Sequence, residues 1–284
     1  MHALRSVVVA FSMFSTVPMP HIPWDERSMR HALVAFPLVG LLVGALLWGA
    51  ARLCGLLALP RLLRALVLTA LPLVVTGGIH LDGFCDTWDA LSSHGDPERM
   101  RQILKDPHIG AFGVMHLVLL LLATFVLWAE LDLDALAAAA PATGSLATVA
   151  PPAAVAPLAT VSPLAAVAPL VCPPVLSRAL AGLSVATFPL AQGDGLARTF
   201  AEKSDRRDVR LGCAVIALIA AGMVVAAGAW AMVAVAALVF VWYRARVVRQ
   251  FGGLSGDLCG WFVQTSELWM LGALYATQAL GVIA

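Results

Sequence analysis

Three aspartates near the end of a long apolar run are spaced as they would be along one helix face. Asp82, Asp86 and Asp89 lie at positions i, i+4 and i+7, so on a helix their carboxylates fall on the same side. Such a face can bind a hard divalent cation such as Mg²⁺, which prefers oxygen ligands. A bound ion would also relieve the repulsion between carboxylates at a membrane boundary. The alternative is an ordinary acidic helix start, with Asp82 as the cap and the other two solvated.

Two glycine-containing segments accompany these aspartates. Gly77, Gly78 and Gly83 lack side chains, so a phosphate group can approach the backbone amides closely there. A second segment, KDPHIG, offers a cation, a carboxylate and a further glycine: Lys105, Asp106 and Gly110. Taken alone, this second segment is also typical of an ordinary helix boundary. Both segments are candidates for substrate binding.

Histidines in the same stretch are candidates for acid–base chemistry. His80 is the first candidate for a general base, because it lies two residues from Asp82. His94 and His108 lie further along. The alternative for all three is a polar residue at a membrane boundary.

One arginine lies inside an apolar run. Arg178 follows the sequence PPVLS, where a lone cation is costly and usually faces a polar partner or a substrate. Snorkelling of the side chain to a nearby interface is the competing interpretation.

The last apolar run carries a second acidic cluster. Asp257 opens this run, and Gln264 and Glu267 lie inside it at spacings that let all three share one helix face. An acid within an apolar helix is a functional candidate, and an interhelical hydrogen bond is the alternative. Glycines just before and at the start of this run make a compact backbone there: Gly252, Gly253, Gly256 and Gly260.

The elements that must position these residues are membrane helices. The chain has 284 residues, of which 61% are hydrophobic and 12% charged, whereas soluble domains are about 25% charged. Several uncharged runs approach the roughly 20 residues that cross a bilayer as a helix. We therefore predict an all-α polytopic bundle, one integral membrane domain over residues 1–284 with about six to eight membrane segments. The apolar runs fall at 32–59, 62–79, 111–131, 171–191, 211–243 and 258–284.

The run at 211–243 is long for one crossing and short for two. Gly228 could mark a turn between two short helices. Two crossings also place the loops 20–31, 80–110, 192–210 and 244–257 on one side, and these loops carry most of the Lys and Arg residues. Because short cytoplasmic loops carry the positive excess, we predict that the aspartate-rich loops are cytoplasmic.

Residues 137–170 form a tract of Ala, Pro, Val, Thr and Leu with a hexapeptide period between Leu146 and Pro169. A proline at every sixth residue removes amide donors and clashes within a helix. We therefore predict a flexible external insertion with no catalytic role and no transmembrane span.

Net charge, cysteine pattern and the N-terminal segment narrow the kinds of protein and partner to expect. A net charge of +1 gives no reason to expect a nucleic acid partner. Five scattered cysteines without a CxxC pair argue against a disulfide framework or a zinc ribbon. The apolar run that ends near Phe14 is predicted to be an uncleaved, membrane-associated segment, because no convincing cleavage site follows it.

Two motifs carry a family resemblance: HLDGFCDTWDA at 80–90 and GGLSGD at 252–257. Together with FSMFSTVPMP, KDPHIGAFGV and PPVLSRAL they cover nearly the whole chain except the hexapeptide tract, and they are far more specific than a lone DGxxD. On these residues the chain resembles the cobalamin synthase family, the adenosylcobinamide-GDP ribazoletransferases. Ala90 stands where the family usually has glycine, Ser255 where it has threonine, and Ser15 where many members have arginine, which puts any N-terminal arginine contact in doubt.

The resemblance implies a phosphoryl transfer that joins α-ribazole, or its 5′-phosphate, to adenosylcobinamide-GDP with release of GMP. Such chemistry needs charge neutralisation and alignment more than covalent help from the protein. It implies Mg²⁺ on Asp82, Asp86 and Asp89, and proton transfer to His80 or a spare aspartate. Arg178 and Lys105 would offset developing charge, and Asp257 would complete the ion's oxygen shell or orient the hydroxyl. The remaining substrate-binding candidates are Gly77, Gly78, Gly83, Asp106, Gly110, Gly253, Gly256 and Glu267.

The implied partners are the two small-molecule substrates and the lipid bilayer of the bacterial inner membrane. A homo-oligomer and an association with other cobalamin-assembly enzymes both stay open. One rival is another metal-dependent membrane transferase, but the chain lacks the DGxxAR and NDxxD motifs of CDP-alcohol phosphotransferases and prenyltransferases. The other rival is a cation transporter that uses Asp257 and Glu267, which predicts internal repeats of the spans that the sequence does not show.

Overall fold

The computed structural model describes residues 2–138, 164–191 and 195–281. Within these ranges the chain is helical, without a β-strand, and one isolated parallel bridge joins Leu190 to Leu254. The helices are α1 (His2–Phe14), α2 (Glu26–Met29), α3 (Ala32–Leu56), α4 (Arg61–Thr76), α5 (Ile79–Ser92), α6 (Pro97–Ile103), α7 (Ala111–Glu130), α8 (Leu133–Ala138), α9 (Leu164–Thr187), α10 (Leu196–Lys203), α11 (Arg206–Ala226), α12 (Trp230–Gln250) and α13 (Gly256–Ala279).

The predicted all-α polytopic bundle is confirmed. Five helices are long and apolar enough to cross a membrane: α3, α7, α9, α11 and α12. The pair α4 and α5 makes a sixth if it counts as one bent span, so the number falls at the low end of the predicted range. The predicted run at 258–284 does form a long helix, α13, but its Asp257, Gln264 and Glu267 make it too polar to join this set.

The predicted break within the run at 211–243 is also confirmed. Helices α11 and α12 are separate and end and begin on either side of Gly228, whose φ of 83° allows the tight turn. Helix α11 begins before the apolar run and α12 ends after it, and these two outer ends carry the arginines of the adjoining loops.

The predicted insertion at 137–170 extends too far at its C-terminal edge. Helix α8 continues to Ala138, and α9 begins at Leu164 and includes Pro169, Pro173 and Pro174. Prolines are tolerated in a membrane helix because neighbouring helices and local adjustments satisfy the freed backbone groups. The rest of the predicted insertion, 139–163, lies outside the described residues.

Helix α9 is the centre of the bundle. It is the most buried of the five candidate spans and packs against α3, α11 and α13. The contact with α3 is a close backbone approach, because a Cβ atom on Gly40 or Gly44 would overlap the backbone of Pro174 or Val171. Small residues one turn apart allow this kind of contact between membrane helices.

Candidate functional site

Two consecutive glycines turn the chain sharply before the aspartate helix. Gly77 and Gly78 have φ values of 64° and 77°, a left-handed conformation that favours glycine. Helix α5 therefore leaves α4 at an angle of 95°. Neither glycine lines the main cavity described below, so their role in this structure is to direct α5.

Helix α5 crosses α13 at a contact made by two further glycines. A Cβ atom on Gly83 would lie 2.7 Å from the Cα and O atoms of Asp257, and one on Gly260 would lie 2.9 Å from the carbonyl oxygen of His80. Gly83 thus faces the α13 backbone and leaves no room there for a phosphate. The crossing brings the two sequence motifs together, with Asp82 beside Asp257.

A cavity of about 450 Å³ lies at this crossing. It is bordered by α5, α13, α10, α1 and the loop that precedes α13. Six of the predicted site residues line it: His80, Asp82, Lys105, Gly253, Gly256 and Asp257. Its floor is apolar and includes Phe14, Phe36 and Phe200.

The loop before α13 is held by backbone pairing. The Leu254 amide donates to Pro189 O at 2.8 Å, and the Ala191 amide donates to Leu254 O at 3.0 Å. A side chain on Gly253 would overlap the backbone of Ala191, so a glycine is needed at this crossing of two loops. Ser255 accepts from the Leu258 amide at 3.4 Å and caps α13, a role that its hydroxyl shares with threonine.

Two arginines on the rim of the cavity were not identified as site residues from the sequence. Arg101 donates to Phe251 O at 3.2 Å, and Arg198 donates to Ala191 O at 2.9 Å. These contacts hold both guanidinium groups beside Lys105 on the cavity wall. Both arginines belong to the basic loops on the side of the aspartates, which is the signal that could have identified them.

His80 forms part of the cavity wall and is 4% exposed. Neither ring nitrogen has a hydrogen-bond partner among the described residues. The ring is stacked with Phe14 at a centroid distance of 6.1 Å and lies 5.6 Å from Phe36. Buried polar groups normally have a partner, so this imidazole is available to a molecule that enters the cavity.

Asp89 is separated from the other two aspartates by its hydrogen bonds. Its carboxylate accepts from the amide of Gly110 at 2.7 Å and from the amide of Gly113 at 2.9 Å. It thereby satisfies amides at the start of α7 that have no partner within the helix. Among the described residues, no three His, Cys, Asp or Glu side chains lie close enough together to hold a metal ion. The Asp89 carboxylate is therefore engaged by α7, and Mg²⁺ on Asp82, Asp86 and Asp89 stays a prediction.

Asp82, Asp86 and Asp257 have the ligand chemistry that suits a divalent cation, but in this arrangement they are not close enough together to hold one. Asp82 and Asp86, one turn apart, accept no hydrogen bond and form no ion pair within the described part of the chain. Asp257 has a single long hydrogen bond of 3.4 Å from Ser255 Oγ. Asp82 and Asp257 line the cavity and Asp86 does not. Unpaired carboxylate oxygens are the hard ligands that Mg²⁺ prefers.

Of the predicted KDPHIG segment, only Lys105 reaches the cavity. Asp106 is exposed and accepts from the backbone amide of His108 at 3.0 Å, and its carboxylate lies 2.8 Å from the His108 ring. These hydrogen bonds, chiefly that of the ring, hold the pKa of Asp106 below its ordinary value. Gly110 donates its amide to Asp89 and therefore serves the α5–α7 contact.

Arg178 and Glu267 are paired with each other and do not line the main cavity. Arg178 is 1% exposed, and its Nη1 lies 2.6 Å from Glu267 Oε1, which also accepts from Ser177 Oγ at 2.6 Å. Burying either charge without the other would be costly, so the pair joins α9 to α13 inside the bundle. The guanidinium lies 5.9 Å from the ring centre of Phe36, whose ring is also 5.6 Å from that of His80.

Comparison with known proteins identifies the family of this chain. A sequence profile described as cobalamin-5-phosphate synthase matches residues 6–275. A relative from Lachnoclostridium phytofermentans, named adenosylcobinamide-GDP ribazoletransferase, is 34% identical over 99% of this chain and 96% of its own length. Relatives of the same name from Desulfitobacterium hafniense and Pseudomonas fluorescens are each 34% identical, over 96% and 93% of this chain and 98% and 96% of their own lengths. No solved structure shows significant similarity to the chain. From the extent of the profile match and of these alignments, the chain belongs to the cobalamin-5-phosphate synthase family.

Proposed function

We propose that this chain is a Mg²⁺-dependent adenosylcobinamide-GDP ribazoletransferase. In the proposed reaction a ribose hydroxyl of α-ribazole, or of its 5′-phosphate, forms a bond to the phosphorus attached to cobinamide. The bond from that phosphorus to the oxygen of the GMP group breaks, GMP leaves, and the hydroxyl proton passes to a base. The single observation that carries the proposal is one cavity in which the acidic motif and the glycine-rich motif meet. Asp82 of the first motif and Asp257 of the second both line this cavity.

The charges around the cavity suit the substrates. Arg101, Lys105 and Arg198 lie on its wall, where they can contact a pyrophosphate and position it. Arg101 and Arg198 are also ion-paired with Glu98 and Glu202, so Lys105 supplies the charge that has no acidic partner among the described residues. Mg²⁺ would add charge neutralisation at the phosphates, with Asp82, Asp86 and Asp257 as its proposed ligands once the substrate draws their side chains together. Asp89 would stabilise this arrangement indirectly, because its hydrogen bonds to α7 fix the end of α5, the helix that carries Asp82 and Asp86.

The apolar floor suits a nucleoside base. Phe14 and Phe36 pack against His80, Phe200 packs against Phe14, and together these rings offer an apolar surface for a benzimidazole. With both ring nitrogens unpartnered, His80 can accept the hydroxyl proton of a ribose that enters with this base. Asp82 is the alternative acceptor on the same wall.

We also propose an orientation for the chain. The basic loops that border the cavity would face the cytoplasm of a bacterial inner membrane, following the excess of Lys and Arg on that side. Alkaline phosphatase fusions test this directly, since the enzyme folds only outside the cytoplasm. A fusion between α3 and α4 is expected to be active and a fusion after α10 to be inactive.

Product analysis of the purified protein tests the activity. Protein in lipid nanodiscs is mixed with adenosylcobinamide-GDP and α-ribazole, and GMP and the joined product are quantified with Mg²⁺ present or chelated. We expect one GMP for each product molecule with Mg²⁺ and none after chelation. GMP release without the joined product, or turnover that is unaffected by chelation, would contradict the proposal.

A further inference from the structure

A second, larger cavity lies on a different face of α5. It has a volume of about 760 Å³ and is referred to below as the aromatic cleft. Its floor is Trp261 of α13, and its walls come from α5, α6, α7 and α12. The side chains that define it are Trp88, Phe112, His116, Trp242, Arg246, Arg249 and Trp261.

The aromatic cleft presents donors and positive charge. The indole N–H groups of Trp88 and Trp261 are buried and have no acceptor among the described residues. Trp261 is completely buried, so its donor has no access to solvent. Arg246 and Arg249 add two guanidinium groups, whereas none of the residues that line the cleft is an aspartate or a glutamate. Buried donors without acceptors, next to unopposed cations, favour an anionic, oxygen-rich ligand.

The walls of the cleft are ordered aromatic surfaces. Trp88 and His116 are stacked with ring centres 3.8 Å apart, and Arg246 lies 5.2 Å from the ring centre of Trp242. Trp242 and Trp261 are 5.0 Å apart. Tryptophan beside arginine is typical of the boundary between hydrocarbon and water, where one end of a ligand is apolar and the other is charged.

The rims of the cleft are exposed on two candidate spans. It lies between α7 and α12, two candidate spans that both pack on α13. Phe112 and Trp242, on its two rims, are 49% and 40% exposed. Apolar side chains exposed on membrane spans face lipid, so a ligand with acyl chains can enter the cleft sideways.

We propose that the aromatic cleft binds the headgroup of an anionic phospholipid. Its phosphate would accept from Arg246 and Arg249, and a small rotation of the tryptophan rings would let the two buried indole groups donate to it as well. Its acyl chains would lie along the exposed faces of α7 and α12. Basic pockets between membrane helices bind anionic lipid headgroups in this way. The inference is independent of the reaction assigned to the main cavity.

Native mass spectrometry of the full chain in detergent tests the proposal, with phosphatidylglycerol and phosphatidylcholine as the probes. We expect phosphatidylglycerol to bind on the order of tenfold more tightly than phosphatidylcholine. The double variant Arg246→Gln/Arg249→Gln should lose this preference, again by on the order of tenfold. Arg244→Gln is the matched control, because Arg244 lies on the same helix beside Phe188 and does not line the cleft.

A second variant separates lipid binding from a general loss of charge. Trp261→Phe keeps an aromatic ring but removes a buried donor, and it should weaken phosphatidylglycerol binding while Arg244→Gln does not. Thermal melting in detergent confirms that each variant is folded. Equal binding of the two lipids, an equal effect of Arg244→Gln, or displacement of phosphatidylglycerol by GDP or inorganic phosphate would overturn the proposal.

Discussion

Gly83 of α5 lies directly against the backbone of Asp257 in α13, with no space between them for a side chain. This contact sets the distance between Asp82 and Asp257, which come from motifs that are far apart in the sequence. Because a backbone cannot yield as a flexible side chain can, any atom added at Gly83 must push the two helices apart.

Gly83→Ala should therefore abolish most of the activity. We expect turnover to fall by on the order of a hundredfold, because a displacement of about 1 Å at a catalytic site has this effect. Steady-state kinetics in nanodiscs measures it. Gly49→Ala is the control, since a side chain at Gly49 would meet nothing within 4 Å. Normal turnover by Gly83→Ala would show that the crossing does not set the geometry of the site.

The aspartates should separate into two groups when each is changed to alanine. Asp82→Ala and Asp86→Ala should eliminate transfer but keep the wild-type melting temperature, because neither side chain accepts a hydrogen bond within the described residues. Asp89→Ala should also destabilise the protein, since each amide that it leaves unpaired costs about 1–3 kcal/mol. Turnover and thermal melting together distinguish the groups, and an Asp89→Ala variant as stable as wild type would refute the capping role.

Asp257→Asn and Glu267→Gln should impair different properties, the first activity and the second stability. Asp257→Asn should lose transfer while it remains folded, because Asp257 lines the cavity. Glu267→Gln should lose about 3–5 kcal/mol of stability, because it leaves Arg178 buried without its partner. Stability is measured by unfolding in mixed detergent. The double variant Arg178→Met/Glu267→Leu should recover most of the loss, and an additive loss in the double variant would contradict the pairing.

Arg101→Gln should weaken binding of the substrate that carries the pyrophosphate. We expect a KM increase for adenosylcobinamide-GDP of about tenfold, which corresponds to one charge-assisted contact of about 1.4 kcal/mol. The KM for α-ribazole should change little. Arg99→Gln, two residues away on α6 and outside the cavity lining, is the matched control. Equal effects of the two variants would mean that only the overall charge of the loop matters.

Two deletions should distinguish the role of the proline-rich repeats from that of α9. Removal of residues 146–162 should leave transfer largely intact, since the proline-rich repeats are predicted to have no catalytic role. Extending the deletion to Pro169 removes the first residues of α9 and should impair insertion or activity. Membrane yield and turnover are compared for both, and an inactive but normally inserted shorter deletion would contradict the prediction.

The parts of the fold that could be predicted are those that depend on local pattern. The span positions follow from runs of apolar residues, and the break at Gly228 follows from the length of its run and the charges beyond it. The proline tract misled the prediction at its C-terminal edge. A proline lowers helix propensity locally, but the close contact of α9 with Gly40 and Gly44 depends on the whole bundle.

The site was predictable in its residue types but not in its pairings. The motifs identified Asp82, His80 and Asp257, and the structure brings these three to one cavity. No local pattern indicates that Asp89 would bind amides more than 20 residues away at α7, or that Arg178 would pair with Glu267. Both pairings depend on how the helices pack, and the spacing of residues along a single helix carries no information about that packing.

The bend at Gly77 and Gly78 makes α5 a common wall of two compartments. Asp82 borders the main cavity, Trp88 borders the aromatic cleft, and Asp89 fastens the same helix to the first turn of α7. A short rigid helix cannot move away from one compartment without moving into the other. Any ligand that displaces α5 therefore changes the affinity of both compartments, and thermodynamic reciprocity requires the change in binding free energy to be equal in the two directions.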